Sequence, residues 1–178
     1  MKKFRVKDWV LMGLSLAMMI VVGKILYTIS LSLPIPSSRV LMTAPAFSFI
    51  YTATILKTRK IGTVSLISLC YAIYMLRFSV FGAMAGLISG VLSDILTLII
   101  FKNYDKERNI FYSVPTKSAF SVWTSFFIVK FFVPQSRFVQ AGIIPTIIIT
   151  IIIYFIGYLA SRYTIEIFSK RIVRVWKI

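Results

Sequence analysis

Histidine is absent from this chain of 178 residues, and cysteine occurs once, at Cys70. Zinc, haem and copper sites are built largely from these two residue types, so the sequence argues against a protein-built metal site. A Ser/His/Asp triad and an HExxH zinc site both require histidine, and a lone cysteine cannot form an internal disulfide framework. We therefore expect no enzymatic activity and no metal or other cofactor bound by this chain.

Acidic residues are also scarce, because 5 Asp and Glu stand against 21 Lys and Arg, which gives a net charge of +16. The basic residues flank apolar runs instead of forming one solvated face, and this arrangement argues against nucleic acid as a partner. The sequence contains no GxxxxGK[ST] phosphate-binding loop, so we do not expect this chain to bind ATP.

Apolar residues are abundant: they make up 58% of the chain, and the mean hydropathy is +0.88. A soluble domain would need more polar surface, which predicts a chain that faces lipid. The Ile147–Ile153 run would suit a strand in water. In lipid, however, an open sheet leaves its edge unpaired and a barrel needs alternating polarity, so helices are favoured. The first apolar run is too long for a cleaved signal, and we expect it to be retained.

The apolar runs predict a single all-α, polytopic membrane domain over residues 1–178 with six transmembrane helices. These helices cover about 9–30, 40–56, 61–76, 79–101, 114–133 and 142–168. Four basic clusters alternate with the spans, at residues 2–7, 57–60, 102–108 and 170–177. Six spans place both termini and all four clusters on one side, which the positive-inside rule identifies as the cytoplasm.

Five basic residues remain when the cytoplasmic ones are set aside, with Lys117 and Arg162 counted as cytoplasmic because of their predicted positions near helix ends. The five are Lys24, Arg39, Arg77, Lys130 and Arg137. All five acids fall in the inner half, so the outer half is purely cationic. This imbalance predicts binding of an anionic ligand, since Arg and Lys pair with carboxylates; the alternative is that each cation snorkels separately to the interface. Nearby aromatic residues could stack on a planar ligand, and they include Phe47, Tyr51, Tyr71, Tyr74, Phe78 and Trp123.

Small residues recur at four-residue spacing on two predicted helices. They are Gly13 and Ala17 on the first helix, and Gly82, Gly86 and Gly90 on the fourth. Such stripes allow close helix approach, either inside the bundle or onto another membrane protein, and we predict docking for the first pair. Asp94 is the only acid deep within a span. It is predicted to be a structural anchor bonded to helix-end amides or to Lys117, or else part of a proton relay.

The fourth helix reads Gly-Ala-Met-Ala-Gly-Leu-Ile-Ser-Gly-Val-Leu-Ser-Asp-Ile-Leu over residues 82–96. With six helices in about 180 residues and small residues on the first helix, this pattern resembles the substrate-binding S-component of an energy-coupling factor (ECF) vitamin transporter. The folate-type S-components look most similar, because segment 32–40 resembles their "IP…LR" segment and segment 109–116 resembles the approach to their fifth helix.

The resemblance implies a multi-pass protein of the bacterial cytoplasmic membrane that binds an anionic vitamin or cofactor precursor from outside. A folate-like ligand is favoured, although pantothenate, lipoate, niacin or a porphyrin would suit the charge equally. It implies further that the chain docks onto a transmembrane coupling protein, with ATP used by two partner ATPase subunits. The alternatives are an autonomous small transporter or channel, or a structural membrane protein without a small ligand.

Overall fold

The computed structural model of the chain describes residues 4–30 and 38–175, without the side chains of residues 38, 39, 137, 169 and 171–175. Within these residues every regular element is a helix. The helices are α1 (Val6–Ser30), α2 (Ser38–Thr58), α3 (Thr63–Met75), α4 (Val80–Ile100), α5 (Glu107–Phe132), α6 (Arg137–Gln140) and α7 (Ile143–Val175). The all-α prediction is therefore confirmed for the described part of the chain.

Four of these helices are long and apolar enough to cross a membrane, over residues 6–30, 40–58, 80–100 and 143–168. The apolar helix α3 is shorter, with 13 residues. α5 has 26 residues but carries more polar side chains, several of which are buried. Large apolar side chains cover the outside of the bundle, including Leu14 on α1 and Phe155 on α7. This surface is compatible with a transmembrane protein, because lipid accepts exposed apolar side chains that water does not.

We call the helices other than the four-residue α6 the six long helices. They form a closed ring in the order α1, α2, α7, α5, α4, α3, in which each helix contacts the next and α3 contacts α1. α2 and α5 also contact each other across the ring. Short connections between consecutive helices make them run antiparallel. Two buried clusters fill the interior. The larger includes Ile55 near the end of α2, Tyr104 between α4 and α5, and Ile110 near the start of α5, and the smaller joins Ala44, Val122 and Ile153.

The observed helix ends differ most from the predicted ones at α5. The sequence predicted a fifth helix from about residue 114, whereas α5 begins at Glu107 after the N-cap residue Lys106. Pro115 is therefore inside the helix instead of at its first turn. A single turn, α6, precedes α7 and was not predicted. The early start of α5 changes the position of Lys117, which becomes important for the site.

Candidate functional site

The predicted outer cations do not form one enclosed cluster in the described part of the chain. Lys24 on α1, Arg77 in the connection after α3 and Lys130 near the end of α5 are all exposed. The side chains of Arg39 and Arg137 lie outside the described residues. Lys24 lines a shallow open groove together with Tyr74, so these two members of the predicted set lie side by side. Trp123 is half-buried on α5 and packs against the Phe126 and Phe127 rings, 6.4 and 5.9 Å away between centroids.

Lys117 lies in the interior of the bundle, and its predicted position near a helix end is wrong. Because α5 begins at Glu107, Lys117 follows the helix start by almost three turns, or about 15 Å along the axis. Its side chain is only 6% exposed. A lysine this deeply buried normally has an acid or several hydrogen-bond acceptors beside it, because an ammonium group loses much of its hydration on burial.

The surroundings of the Lys117 ammonium group are aromatic. Its Nζ lies 5.1 Å from the centroid of the Tyr51 ring and 5.6 Å from that of Phe47, both on α2. These distances are within the range of cation–π attraction. Among the residues that the structure describes, no carboxylate lies within 4.0 Å of Lys117 Nζ and no side chain or carbonyl accepts a hydrogen bond from it. In the described bundle, the favourable electrostatic contacts of this cation are therefore with the two aromatic rings.

A series of ring contacts leads from Phe47, beside Lys117, to the C-terminal end of α3. Phe47 meets Tyr71 edge to face at 5.4 Å, Tyr71 lies 6.3 Å from Tyr74, and Tyr74 lies 5.5 Å from Phe78. We call Phe47, Tyr71, Tyr74 and Phe78 the aromatic series. It ends in the α3–α4 connection beside Arg77, and its third ring lines the groove that contains Lys24.

Helix α1 approaches the aromatic series closely at Gly23. A Cβ placed on this glycine would lie 3.1 Å from the Tyr71 hydroxyl and 3.2 Å from Phe47 Cζ, tighter than ordinary van der Waals contact. Any larger residue would push against both rings. Because residue 23 is a glycine, α1 can pack closely against the Tyr71 and Phe47 rings of the aromatic series.

Asp94 has a structural role that the sequence predicted as one of two options. Its carboxylate accepts hydrogen bonds from the backbone N–H of Ser65 at 2.7 Å and from the Ser65 hydroxyl at 2.6 Å. Ser65 is in the first turn of α3, so Asp94 satisfies a helix-end amide. The Tyr104 hydroxyl donates a third bond, at 3.1 Å. Burial, and then the charge of Asp94, raise the pKa of the Tyr104 phenol, which keeps this donor protonated. Contact of Asp94 with Lys117, the alternative anchoring partner, is not among the described interactions.

Replacing Asp94 by alanine should destabilise the protein by about 2 kcal/mol, because a buried donor left without its partner costs about that much. The loss concerns the amide of Ser65 and the hydroxyl of Tyr104. Thermal unfolding in detergent would measure it, with Asp94→Asn as the milder variant that keeps one acceptor oxygen. A melting temperature unchanged by Asp94→Ala would contradict the anchoring role.

Side-chain contacts bring two of the four basic clusters, at residues 57–60 and 102–108, to the same end of the bundle as the start of α1. Lys60, between α2 and α3, forms an ion pair with Asp8 at the start of α1. Arg59 donates a hydrogen bond of 3.0 Å to the carbonyl oxygen of Asp105, between α4 and α5. The left-handed conformation of Gly62, with φ of 92°, completes the turn before α3 begins. The start of α1 and the 57–60 and 102–108 clusters therefore share one face.

The small-residue stripes differ in what surrounds them. Gly13 and Ala17 are exposed on α1, and a Cβ at Gly13 would meet no atom within 4 Å. Gly86 is equally open, and Gly82 borders only its own helix turn and Met75. Gly90 is buried, and a Cβ there would overlap the Ser68 side chain. Of the two options for the glycine stripe, packing inside the bundle therefore applies to Gly90, which brings α4 close to α3.

Lys117 is the functional candidate that the sequence interpretation missed. It was counted among the cytoplasmic cations, although Phe47 and Tyr51 were already among the predicted stacking aromatics. The available signal was the absence of any acid between Glu107 and Glu166, which leaves no local partner for a lysine in this region. In comparisons with family models, curated proteins and solved structures, no match to this chain was found.

Proposed function

We propose that this chain is the membrane-embedded, high-affinity substrate-binding subunit of an ECF-type ABC importer. Its substrate would be an anionic vitamin or cofactor precursor, with a folate-like compound favoured. In this proposal all six long helices span the bacterial cytoplasmic membrane and both termini lie in the cytoplasm. The cluster of basic connections at one end of the bundle supports this orientation, since basic residues concentrate on the cytoplasmic side.

The observation that carries the proposal is the exposed small-residue position on α1. Most of its outward side chains are large and apolar, such as Val10, Leu14 and Met18. Gly13 and Ala17 interrupt this surface, and nothing in the described bundle fills the space beside Gly13. A shallow depression of this kind lets a helix of another membrane protein approach closely. We assign the docking of the transmembrane coupling protein to this surface, with two ATPases completing the complex and using ATP.

The folate-like assignment has narrower support. Segment 32–40, which resembles the folate-type S-components, lies mostly outside the described residues. Segment 109–116 is inside α5 instead of leading into it. What favours an anion with a planar body is the excess of cations over acids, together with the aromatic series beside Lys24 and Arg77.

Gly13→Leu is expected to weaken the association with the coupling protein and leave the fold of this chain intact. Overpacking a close contact costs about 1–3 kcal/mol, which corresponds to roughly a 5- to 150-fold loss of affinity. The test is co-purification of this chain with an ECF coupling protein and its two ATPases, quantified against the wild-type chain. Cys70→Leu is the matched control, because Cys70 is also a small exposed residue, on α3.

Two outcomes would count against this proposal. One is equal recovery of the coupling complex with Gly13→Leu, Cys70→Leu and wild-type protein, which would remove the docking assignment. The other is uptake of a vitamin into liposomes that contain this chain alone, which would favour an autonomous transporter. Native mass spectrometry of the purified wild-type chain should detect a tightly held organic anion if the substrate-binding part is correct.

A further inference from the structure

Lys117 presents a charge that the described protein leaves without an acidic partner. Its side chain is 94% buried, it projects from the middle of α5, and its ammonium group faces the rings of Tyr51 and Phe47. The three N–H bonds of an ammonium group can each donate a hydrogen bond. In the described residues none of the three finds an oxygen acceptor. The ring faces attract the cation but supply no such acceptor.

Three of the five acids contact partners other than Lys117. Asp94 is bound by Ser65 and Tyr104, Asp8 by Lys60, and Glu166 by Arg162 four residues earlier on α7. Asp105 and Glu107 are exposed near the start of α5, almost three helical turns from Lys117. A conformational change that brings one of them to Lys117 would first have to dismantle the packed end of the bundle. The missing anion is therefore expected to come from outside the chain.

We propose that Lys117 is the anion-binding centre of this protein, at which the carboxylate of a small organic ligand pairs with the ammonium group while its apolar body lies along the aromatic series. The inference rests on the proposed substrate-binding function, but moves the binding centre from the exposed outer cations to the bundle interior. Lys24, in the groove beside Tyr74, and Arg77, next to Phe78, then act by attracting the anion toward this end of the aromatic series.

The chemistry of the site defines the class of ligand. A single lysine is a point charge, which suits one carboxylate better than a phosphate cluster or a polyanion. The faces and edges of Phe47, Tyr51 and Tyr71 suit a planar or aromatic body. The hydroxyl of Tyr51 already hydrogen-bonds the Ser68 hydroxyl at 2.9 Å, so it helps to hold this ring in place. The expected ligand is a monocarboxylate end attached to a flat, largely apolar group.

The test compares Lys117→Met with Lys57→Met, the same substitution at an exposed lysine on α2, and with Lys130→Met, which removes one of the outer cations. Binding of folate, pantothenate, lipoate and nicotinate is measured on purified protein in lipid nanodiscs, and the ligand that co-purifies with wild-type protein is identified by native mass spectrometry. Lys117→Met should weaken binding of the responding compound by about 100-fold or more, as expected when a buried charge partner is removed. Lys57→Met should change it by less than about threefold, because this exposed lysine is outside both candidate sites.

A second comparison tests the charge itself. The uncharged analogue of the responding compound, such as nicotinamide for nicotinate, should bind wild-type protein far more weakly than the acid. This discrimination should disappear in Lys117→Met and persist in Lys117→Arg, which keeps a positive charge. Melting temperatures of all the variants establish that each is folded.

The outcomes separate this inference from the function on which it rests. If wild-type protein binds one of the acids and Lys117→Met binds it equally well, the inference is overturned while the proposed function stands. If a loss appears with Lys130→Met but not with Lys117→Met, the site belongs to the outer cations. If wild-type protein binds none of the acids and carries no organic anion after purification, the proposed function fails, and the Lys117 site fails with it.

Discussion

Gly90→Ala is expected to destabilise the protein strongly, whereas Gly86→Ala, one helical turn earlier on α4, should be neutral or stabilising. A Cβ at Gly90 would overlap both Oγ and Cβ of Ser68 on α3. Rotating the serine can move its Oγ but not its Cβ, which is fixed to the backbone, so α3 and α4 must separate. Overpacking of this kind costs about 3 kcal/mol, more than the roughly 1 kcal/mol that alanine gains over glycine in a helix.

Gly86 is the matched control because a Cβ there would meet no atom within 4 Å. Its replacement by alanine should therefore show the helix-propensity gain alone, up to about 1 kcal/mol. Thermal unfolding in the same detergent or nanodisc would give both values. Equal shifts for the two variants would mean that α3 and α4 are not in close contact at Gly90.

A double-mutant cycle locates the clash. Ser68→Gly removes the Cβ and Oγ that a Gly90 side chain would overlap, at the cost of the hydrogen bond to Tyr51. The combination Ser68→Gly with Gly90→Ala should therefore be less damaging than the sum of the two single changes, with a coupling of about 1–3 kcal/mol. Strict additivity would show that the two positions do not touch.

The fold was largely readable from the sequence because charge and hydropathy alternate along the chain. Each long observed helix overlaps one predicted apolar segment, and the basic clusters fall at the ends of these helices or between them. The start of α5 was misread for a physical reason. The prediction followed the apolar run, which begins near residue 114, whereas the first turn of α5 carries the polar residues Glu107, Arg108 and Asn109. In the bundle the helix continues through Pro115, with a first turn that begins at Glu107.

That misreading hid the most informative residue of the candidate site. With a helix start near 114, Lys117 belongs to a helix end, where lysine is ordinary; with a start at Glu107 it is buried among aromatic rings. The glycine stripe shows a related limit. Spacing places Gly82, Gly86 and Gly90 on one helical face but cannot say where a neighbouring helix crosses that face. The crossing with α3 is at Gly90, which leaves Gly86 open.

Lys117→Met is expected to raise the stability of the ligand-free protein, which is the opposite of what a structural lysine would do. Replacing a buried ion pair by apolar side chains of similar volume is often stabilising by about 1–4 kcal/mol, and a lone buried charge has no ion-pair attraction to lose. The change also removes the attraction of the ammonium group to Tyr51 and Phe47, which is worth up to about 2 kcal/mol when desolvated. For a charge without an acidic partner we expect the relief of desolvation to be the larger effect.

The measurement is the melting temperature of protein stripped of ligand, compared with that of Lys130→Met, whose exposed side chain should leave stability within about 0.5 kcal/mol of wild type. An increase for Lys117→Met alone would mean that the wild-type chain retains a cation that costs it stability. Residues of this kind are kept for binding, because a bound anion neutralises the charge that the empty protein must bury. A decrease would instead assign Lys117 to packing, with the Phe47 and Tyr51 rings as its sufficient partners.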